Sequence, residues 1–176
     1  AESLAHTLLG REDYWDRHTA RREGYGTPHG GMKDIWVRFN APENLDPVAG
    51  LQAFTDKHES VWYPIADEVP ELRQMVESVL QQLPTDVELG GVLVTRIPAG
   101  EGIDPHVDKG WHAEYYYDKY IVQLLGNEDQ SFNFEGHSLS AEPGEVYWFN
   151  NQERHWVLND SNEWRMSLII CVRPKE

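Results

Sequence analysis

After Asp67 the apolar residues Val69, Leu72, Val76, Val79, Leu80 and Leu83 recur at spacings of three and four, which predicts a helix with one buried face. Pro70 suits the first turn of that helix and Pro84 ends it. A weaker helical segment opens at Asp46, an N-cap residue followed by Pro47, and runs to about His58. Upstream the pattern is polar and aromatic. It predicts a short helix near Leu4 to Arg22, a turn-rich stretch from Gly24 to Gly31, and an extended segment from Asp34 to Phe39.

From Glu88 the period shortens. Val92 to Ile97, Lys119 to Leu125, Ser131 to Phe134, Glu145 to Phe149, His155 to Leu158 and Trp164 to Val172 are β-rich runs. Pro98 with Gly100, Gly126 with Asn127, Pro143 with Gly144, and Asn159 to Asn162 separate them as turns. Strands spaced this way after helices predict a mainly β, α+β domain. Its core would be a sandwich or jelly roll, cupin-like in outline, with the N-terminal helices packed outside. The 176 residues read as a single domain, mostly helical over 1–87 and β over 88–176. An apolar stripe such as that after Asp67 covers a barrel or a second subunit equally well, so the oligomeric state is not read from it.

Composition narrows the function. Hydrophobic residues make up 40% of the chain, with seven Trp and eight Tyr, enough to bury a core and exclude wholesale disorder. Thirty acidic against fifteen basic side chains give a net charge of -15. That charge repels a phosphate backbone and makes nucleic acid an unlikely partner; Arg17, Arg21 and Arg22 are the one candidate basic patch. No apolar run approaches the roughly 18 residues that span a bilayer, so no membrane partner is expected. No export-type opening precedes the fold, and the expected location is the cytoplasm. Cys171, the sole cysteine, cannot form an internal disulfide and reads as a small core residue.

His106 and Asp108 stand two apart in Asp104-Pro105-His106-Val107-Asp108, and on extended backbone such residues point the same way and can share an ion. The motif alone is cheap, since His112 and Glu114 repeat it. His155 supplies a third donor from a distant strand. Two imidazoles and a carboxylate on one side of an ion leave the other side open, the arrangement suited to ferrous iron that must take a cosubstrate and oxygen together. Ten residues later Arg165 and Ser167 alternate along the last strand, with Met166, Leu168, Ile170 and Val172 on its other face. A guanidinium beside a hydroxyl in an apolar barrel suits the far carboxylate of a dicarboxylate.

Taken together, Thr95-Arg96-Ile97-Pro98-Ala99-Gly100, Pro105-His106-Val107-Asp108, Pro143-Gly144-Glu145, His155 and Arg165-Met166-Ser167 resemble a known pattern. It is the double-stranded β-helix core of iron(II)- and 2-oxoglutarate-dependent oxygenases. The chain is most similar to the aspartyl/asparaginyl β-hydroxylase-like branch, in which a segment like Asp34-Ile35-Trp36-Val37-Arg38-Phe39 precedes the core. The resemblance spans about Val92 to Val172. It implies His106, Asp108 and His155 as catalytic iron ligands, Arg165 as the partner of the 2-oxoglutarate 5-carboxylate, and Ser167 as a further hydrogen bond to it. It also implies a dioxygenase that consumes O2 and 2-oxoglutarate, releases succinate and CO2, and hydroxylates a C–H bond of an amino acid, peptide or related small molecule. The best-known animal members use two histidines and lack the carboxylate ligand, whereas this chain offers Asp108. That departure touches the aspartyl or asparaginyl substrate, not the oxygenase chemistry.

Lesser candidates follow from alternation. Lys119, Ile121, Gln123 and Leu125 share a face, so Lys119 or Gln123 could meet the cosubstrate. Arg96 could face the site or the acidic surface, and Arg17, Arg21, Arg22 and Arg38 could hold an acidic substrate. His112 lies in a loop with Trp111, Tyr115, Tyr116 and Tyr117 that could contact substrate as a lid or simply close the barrel end. His6, His18, His29, His58 and His137 read as surface or hydrogen-bonded residues. Two rival functions remain at this point. One is a cupin-type metal-binding jelly roll that works without 2-oxoglutarate and does not need Arg165 and Ser167 turned inward; the other is an interaction module without metal.

Overall fold

The computed structural model describes residues 1–23, 27–45 and 53–175. Ten strands among these form two antiparallel sheets. The larger carries β2 (Val61–Trp62), β1 (Lys33–Phe39), β3 (Val87–Ile97), β10 (Arg165–Pro174), β5 (Asp118–Leu125) and β8 (Val146–Asn150), in that order. The smaller carries β4 (Gly102–His106), β9 (His155–Asn159), β6 (Gln130–Phe134) and β7 (His137–Leu139). This is the double-stranded β-helix expected from the sequence, a jelly roll with helices added.

Alternation along the larger sheet sorts its side chains into two faces. On the outer face, Ile35, Val94, Leu168 and Val122 lie in register, as do Val92 and Ile170. These join Leu4, Ala5, Leu8, Trp15, Leu72, Val76 and Val79 in one core, so the helices cover this side. On the inner face, Asp34, Thr95, Ser167 and Gln123 form one cross-strand row. Trp36, Leu93, Ile169, Ile121 and Tyr147 form the next, and Cys171, Lys119 and Phe149 a third. Ile121 and Phe149 meet Phe132, Phe134 and Val157 of the smaller sheet in a second core between the sheets.

The stripe after Asp67 divides at Val69 into Ile65–Glu68 and Glu71–Leu80, and Leu72, Val76 and Val79 are buried as the spacing requires. The N-terminal helix expected from Leu4 to Arg22 is instead three pieces, Glu2–Leu9, Glu12–Trp15 and Ala20–Glu23. Trp15 donates its indole N–H to the Leu8 carbonyl at 2.8 Å, folding the second piece back on the first. Of the segment expected to be helical from Asp46 to His58, residues 46–52 lie outside the described residues. Ala53 and Phe54 are helical, and the helix stops before Thr55. Within the turn-rich stretch, Gly24 to Gly26 also lie outside them.

Three strands had no clear sequence signal: β2, β4 and β7. β4 contains Gly102, Asp104 and Pro105, poor strand formers tolerated because β4 is an edge strand whose one neighbour is β9. No helix among the described residues is long and apolar enough to cross a membrane.

Candidate active site

β4 pairs with β9 so that His106 and His155 stand opposite each other. Asp108 lies just past the end of β4, where its N–H donates to the Asn151 carbonyl at 3.3 Å. Asn151 is fully buried, and its side-chain amide donates to the carbonyls of Ala113 (2.9 Å) and Tyr116 (3.3 Å). One asparagine thus ties the Asp108 loop to the helix Trp111–Tyr115. The sequence reading did not single it out, and its signal was no more than an Asn pair closing a strand.

One donor atom from each of His106, Asp108 and His155 lies within 4.8 Å of the others. His106 Nε2 is 3.5 Å from Asp108 Oδ1, and His155 Nε2 is 3.9 Å from Oδ2. On the far edge of each ring, Nδ1 meets a backbone carbonyl, Asp104 at 2.7 Å and Glu153 at 2.8 Å. A carbonyl can only accept, so each ring carries a proton on Nδ1 and turns Nε2 toward Asp108. Ligand orientation by such outer hydrogen bonds is how metal sites fix their tautomers. Burial works to raise the Asp108 carboxyl, yet the Lys119 ammonium and the two imidazoles hold it well below the ordinary carboxylate range. Burial pushes His155 down to about 4. The cluster therefore presents one carboxylate and two imidazoles, a donor set that fits a divalent metal ion.

Lys119 reaches from the inner face of β5 to an ion pair with Asp108. Gln123, two rows away on the same face, belongs to a different cluster. There Arg165 donates to Ser167 Oγ at 2.9 Å, Gln123 Oε1 at 3.1 Å and Tyr147 Oη at 3.1 Å. Arg165 is 5% exposed, and no carboxylate among the described residues pairs with it. The row of Ile169 and Ile121 lies between this cluster and Lys119. Tyr147 was missed by the sequence reading, although its place opposite Ile121 follows from strand alternation.

A cavity of about 790 Å³ opens beside the His106, Asp108 and His155 cluster. Its walls include His106, Asp108 and Lys119, then Trp36, Phe39, Leu93 and Cys171 from the inner sheet face, His112 from the loop, and Arg21 with His29 from the N-terminal segment. Arg165, Ser167 and Gln123 do not line it. His29, read as a surface or hydrogen-bonded residue, is of the second kind. It sits with its ring 4.9 Å from that of His106, against the NH2 group of Arg21.

Three of the residues that could have met substrate, Arg96, Arg38 and Trp111, do not line the cavity. Arg96 stands in register with Met166, on the helical face. It pairs with Glu12 at 2.8 Å and packs over Trp15 and Trp164. Arg38 would follow Trp36 into the cavity by alternation, but a bulge between them sets Arg38 opposite Val92 on the outer face. Its guanidinium donates to the carbonyls of Leu89 and Gly90 and lies over Trp62. Trp111 stacks on Tyr115 with ring centres 4.7 Å apart and does not reach the cavity wall. His112 does reach it. Arg17 and Arg22 are engaged by Asp13 and Asp16, which leaves no free basic patch there.

A jelly roll holding a His, Asp, His cluster at one end of its smaller sheet is the architecture of a metal-dependent oxygenase. The model of the aspartyl/asparaginyl beta-hydroxylase family matches residues 51–174. The chain belongs to that family and is an enzyme of the iron(II)/2-oxoglutarate oxygenase class, hydroxylating in type. Among solved structures it is similar to an oxidoreductase of the 2OG-Fe(II) oxygenase family from Burkholderia pseudomallei. The TM-score is 0.55 and the identity 15%, over 96% of this chain and 78% of that one. At that identity the likeness speaks for the fold. A cupin domain from Bordetella pertussis matches 52% of this chain and 88% of its own, at a TM-score of 0.39 and 18% identity. Among curated proteins no match was found.

Proposed function

We propose that the protein is a dioxygenase that hydroxylates a C–H bond of an amino-acid-type substrate, free or in a peptide, with succinate and CO2 as coproducts. His106, Asp108 and His155 would hold iron(II). When bound, that ion would supply the activation of dioxygen at the expense of 2-oxoglutarate. The residues around it have separable tasks. The Asp104 and Glu153 carbonyls hold both imidazoles in the tautomer that offers Nε2. Lys119 fixes the Asp108 carboxylate and would meet the cosubstrate's 1-carboxylate. Arg165 and Ser167, with Gln123 and Tyr147 orienting the guanidinium, would take the 5-carboxylate beyond the Ile169 and Ile121 row.

The observation that carries this reading is the state of Arg165. Its three partners are neutral, and a buried guanidinium without an anion costs several kcal/mol. A dicarboxylate reaching from the metal cluster would compensate it. The inward turn of Arg165 and Ser167 also weighs against the cupin-type alternative, which has no use for a cation there. The test is conversion of 2-oxoglutarate to succinate by the iron-reconstituted protein. Asp108→Ala and His155→Ala should lose it; full turnover in either variant would overturn the ligand assignment.

A further inference from the structure

The cavity contradicts the charge of the chain around it. In a protein of net charge -15, its walls carry Arg21, Lys109 and Lys119 against a single carboxylate, Asp108, which Lys119 and the metal already claim. Arg21 takes no part in that claim. Its Nη1 donates to Asp34 Oδ2 at 3.0 Å, and Asp34 is 3% exposed on the inner face of β1. Its Nη2 lies 3.5 Å from His29 Nε2. Among the described residues these two contacts leave much of a five-donor group unused, held in a fixed orientation by a buried carboxylate. The His29 ring lies between Arg21 and His106, so a ligand anchored on Arg21 meets the metal cluster one imidazole away. Arg165 does not line this cavity, so the two guanidiniums would serve different carboxylates.

His112 supplies a second fixed contact. The Gly91 N–H donates to its Nε2 at 3.0 Å. This approach depends on glycine, because a Cβ at position 91 would stand 2.8 Å from the Phe39 ring and 3.0 Å from His112 Cε1. Burial, first of all, pushes His112 down to about 3, so the ring is neutral near pH 7. A neutral ring that accepts at Nε2 carries its proton on Nδ1. No partner for Nδ1 is found among the described residues, although the side chain is 7% exposed and lines the cavity. Phe39, Trp36 and Leu93 complete an apolar wall beside it.

Resting on the oxygenase reading above, we propose that the substrate bears a carboxylate, which Arg21 holds, and a second acceptor oxygen, which takes the Nδ1–H of His112. The body between these groups packs on Trp36 and Phe39. The substrate is therefore an anionic amino-acid derivative rather than a neutral or cationic one. Arg21 and His112 are its binding residues, and Asp34 and Gly91 position them.

The test uses matched probes, N-acetyl amino-acid amides with aspartate or glutamate side chains and their asparagine or glutamine isosteres. They are titrated calorimetrically into the zinc-loaded protein with and without 2-oxoglutarate. The acid should bind at least about tenfold more tightly than its amide, the scale of a charge-assisted hydrogen bond. Because Arg21→Gln alone would strand Asp34, the deciding variant is Arg21→Gln with Asp34→Asn, in which the preference should vanish. His112→Gln should weaken acid and amide alike. Nitrogen-15 spectra of histidine-labelled protein should show His112 protonated at Nδ1 and shifted by the acidic probe. Equal affinity for acid and amide, no binding of either, a preference that survives in the double variant, or an Nε2-protonated His112 would each overturn the proposal. Loss of 2-oxoglutarate binding in the parent, with the preference intact, would instead count against the oxygenase reading.

Discussion

Replacing Arg165 with methionine separates a binding charge from a structural one. The guanidinium makes three hydrogen bonds, none to an anion. Its removal leaves Ser167 still donating to Gln123, and Gln123 to the Leu125 and Met166 carbonyls, so that the Tyr147 hydroxyl is the one group that loses its partner among the described residues. Three lost bonds of roughly 1 kcal/mol each are set against a desolvation cost of several kcal/mol that disappears. The ligand-free variant should therefore unfold in urea within about 1 kcal/mol of the parent, or later. A buried arginine in a structural ion pair would cost about 3–5 kcal/mol. With ligand the order reverses. At 2-oxoglutarate about a hundredfold above its dissociation constant, the metal-loaded parent gains about 2.7 kcal/mol. Losing two charge-assisted bonds, at least about 3 kcal/mol, weakens binding roughly a hundredfold, so the same concentration stabilises the variant by only about 0.4 kcal/mol. Equal stabilisation of both proteins by 2-oxoglutarate, or a large loss without ligand, would refute the reasoning.

Other consequences can be checked the same way. Arg96→Met should lower the urea midpoint by removing the packing over Trp15 and Trp164, yet leave kcat/KM unchanged, since Arg96 faces the helices. Gly90→Ala should cost about 1–3 kcal/mol in the same assay, because its Cβ would lie 2.5 Å from the Tyr116 ring. His112, with His58 stacked on it and Lys119, Asp108 and Arg21 in its field, is held neutral mainly by burial. Its folded value of about 3 lies below the ordinary 6.5. The unfolded chain therefore binds the extra proton, and the stability from this residue is complete above pH 6.5 and lost as pH falls toward 3. At 1.36 kcal/mol per unit the loss is about 2 kcal/mol by pH 5. That slope should flatten in His112→Gln; an unchanged slope would mean that the residue titrates normally.

The strands of the core were legible because their side chains alternate and Gly, Pro and Asn punctuate them. The candidate metal cluster was legible because His106 and Asp108 are local in sequence and Arg165 follows His155 at a fixed distance. What escaped was set by long-range geometry. A one-residue bulge in β1 moves Arg38 to the helical face, and no pattern of polar positions announces it. The register of β3 against β10 puts Arg96 beside Met166, away from the site. Arg21 was legible as a cation that could hold an acidic substrate, but its place beside His29 and His106 was not, because it depends on the Asp34 carboxylate drawing a short helix over the sheet. β4 escaped because an edge strand can carry the Gly and Pro that an inner strand cannot.

The central claim is that His106, Asp108 and His155 hold an iron at which 2-oxoglutarate binds, with Arg165 at its far end. Anaerobic titration of the iron(II)-loaded protein with 2-oxoglutarate, followed through the weak visible charge-transfer absorption of the chelated cosubstrate, tests it most directly. The account requires a band that saturates in the parent, is absent in Asp108→Ala, and in Arg165→Met needs about a hundredfold more 2-oxoglutarate. Iron that binds at this cluster without any such band, or a band indifferent to Arg165, would contradict it.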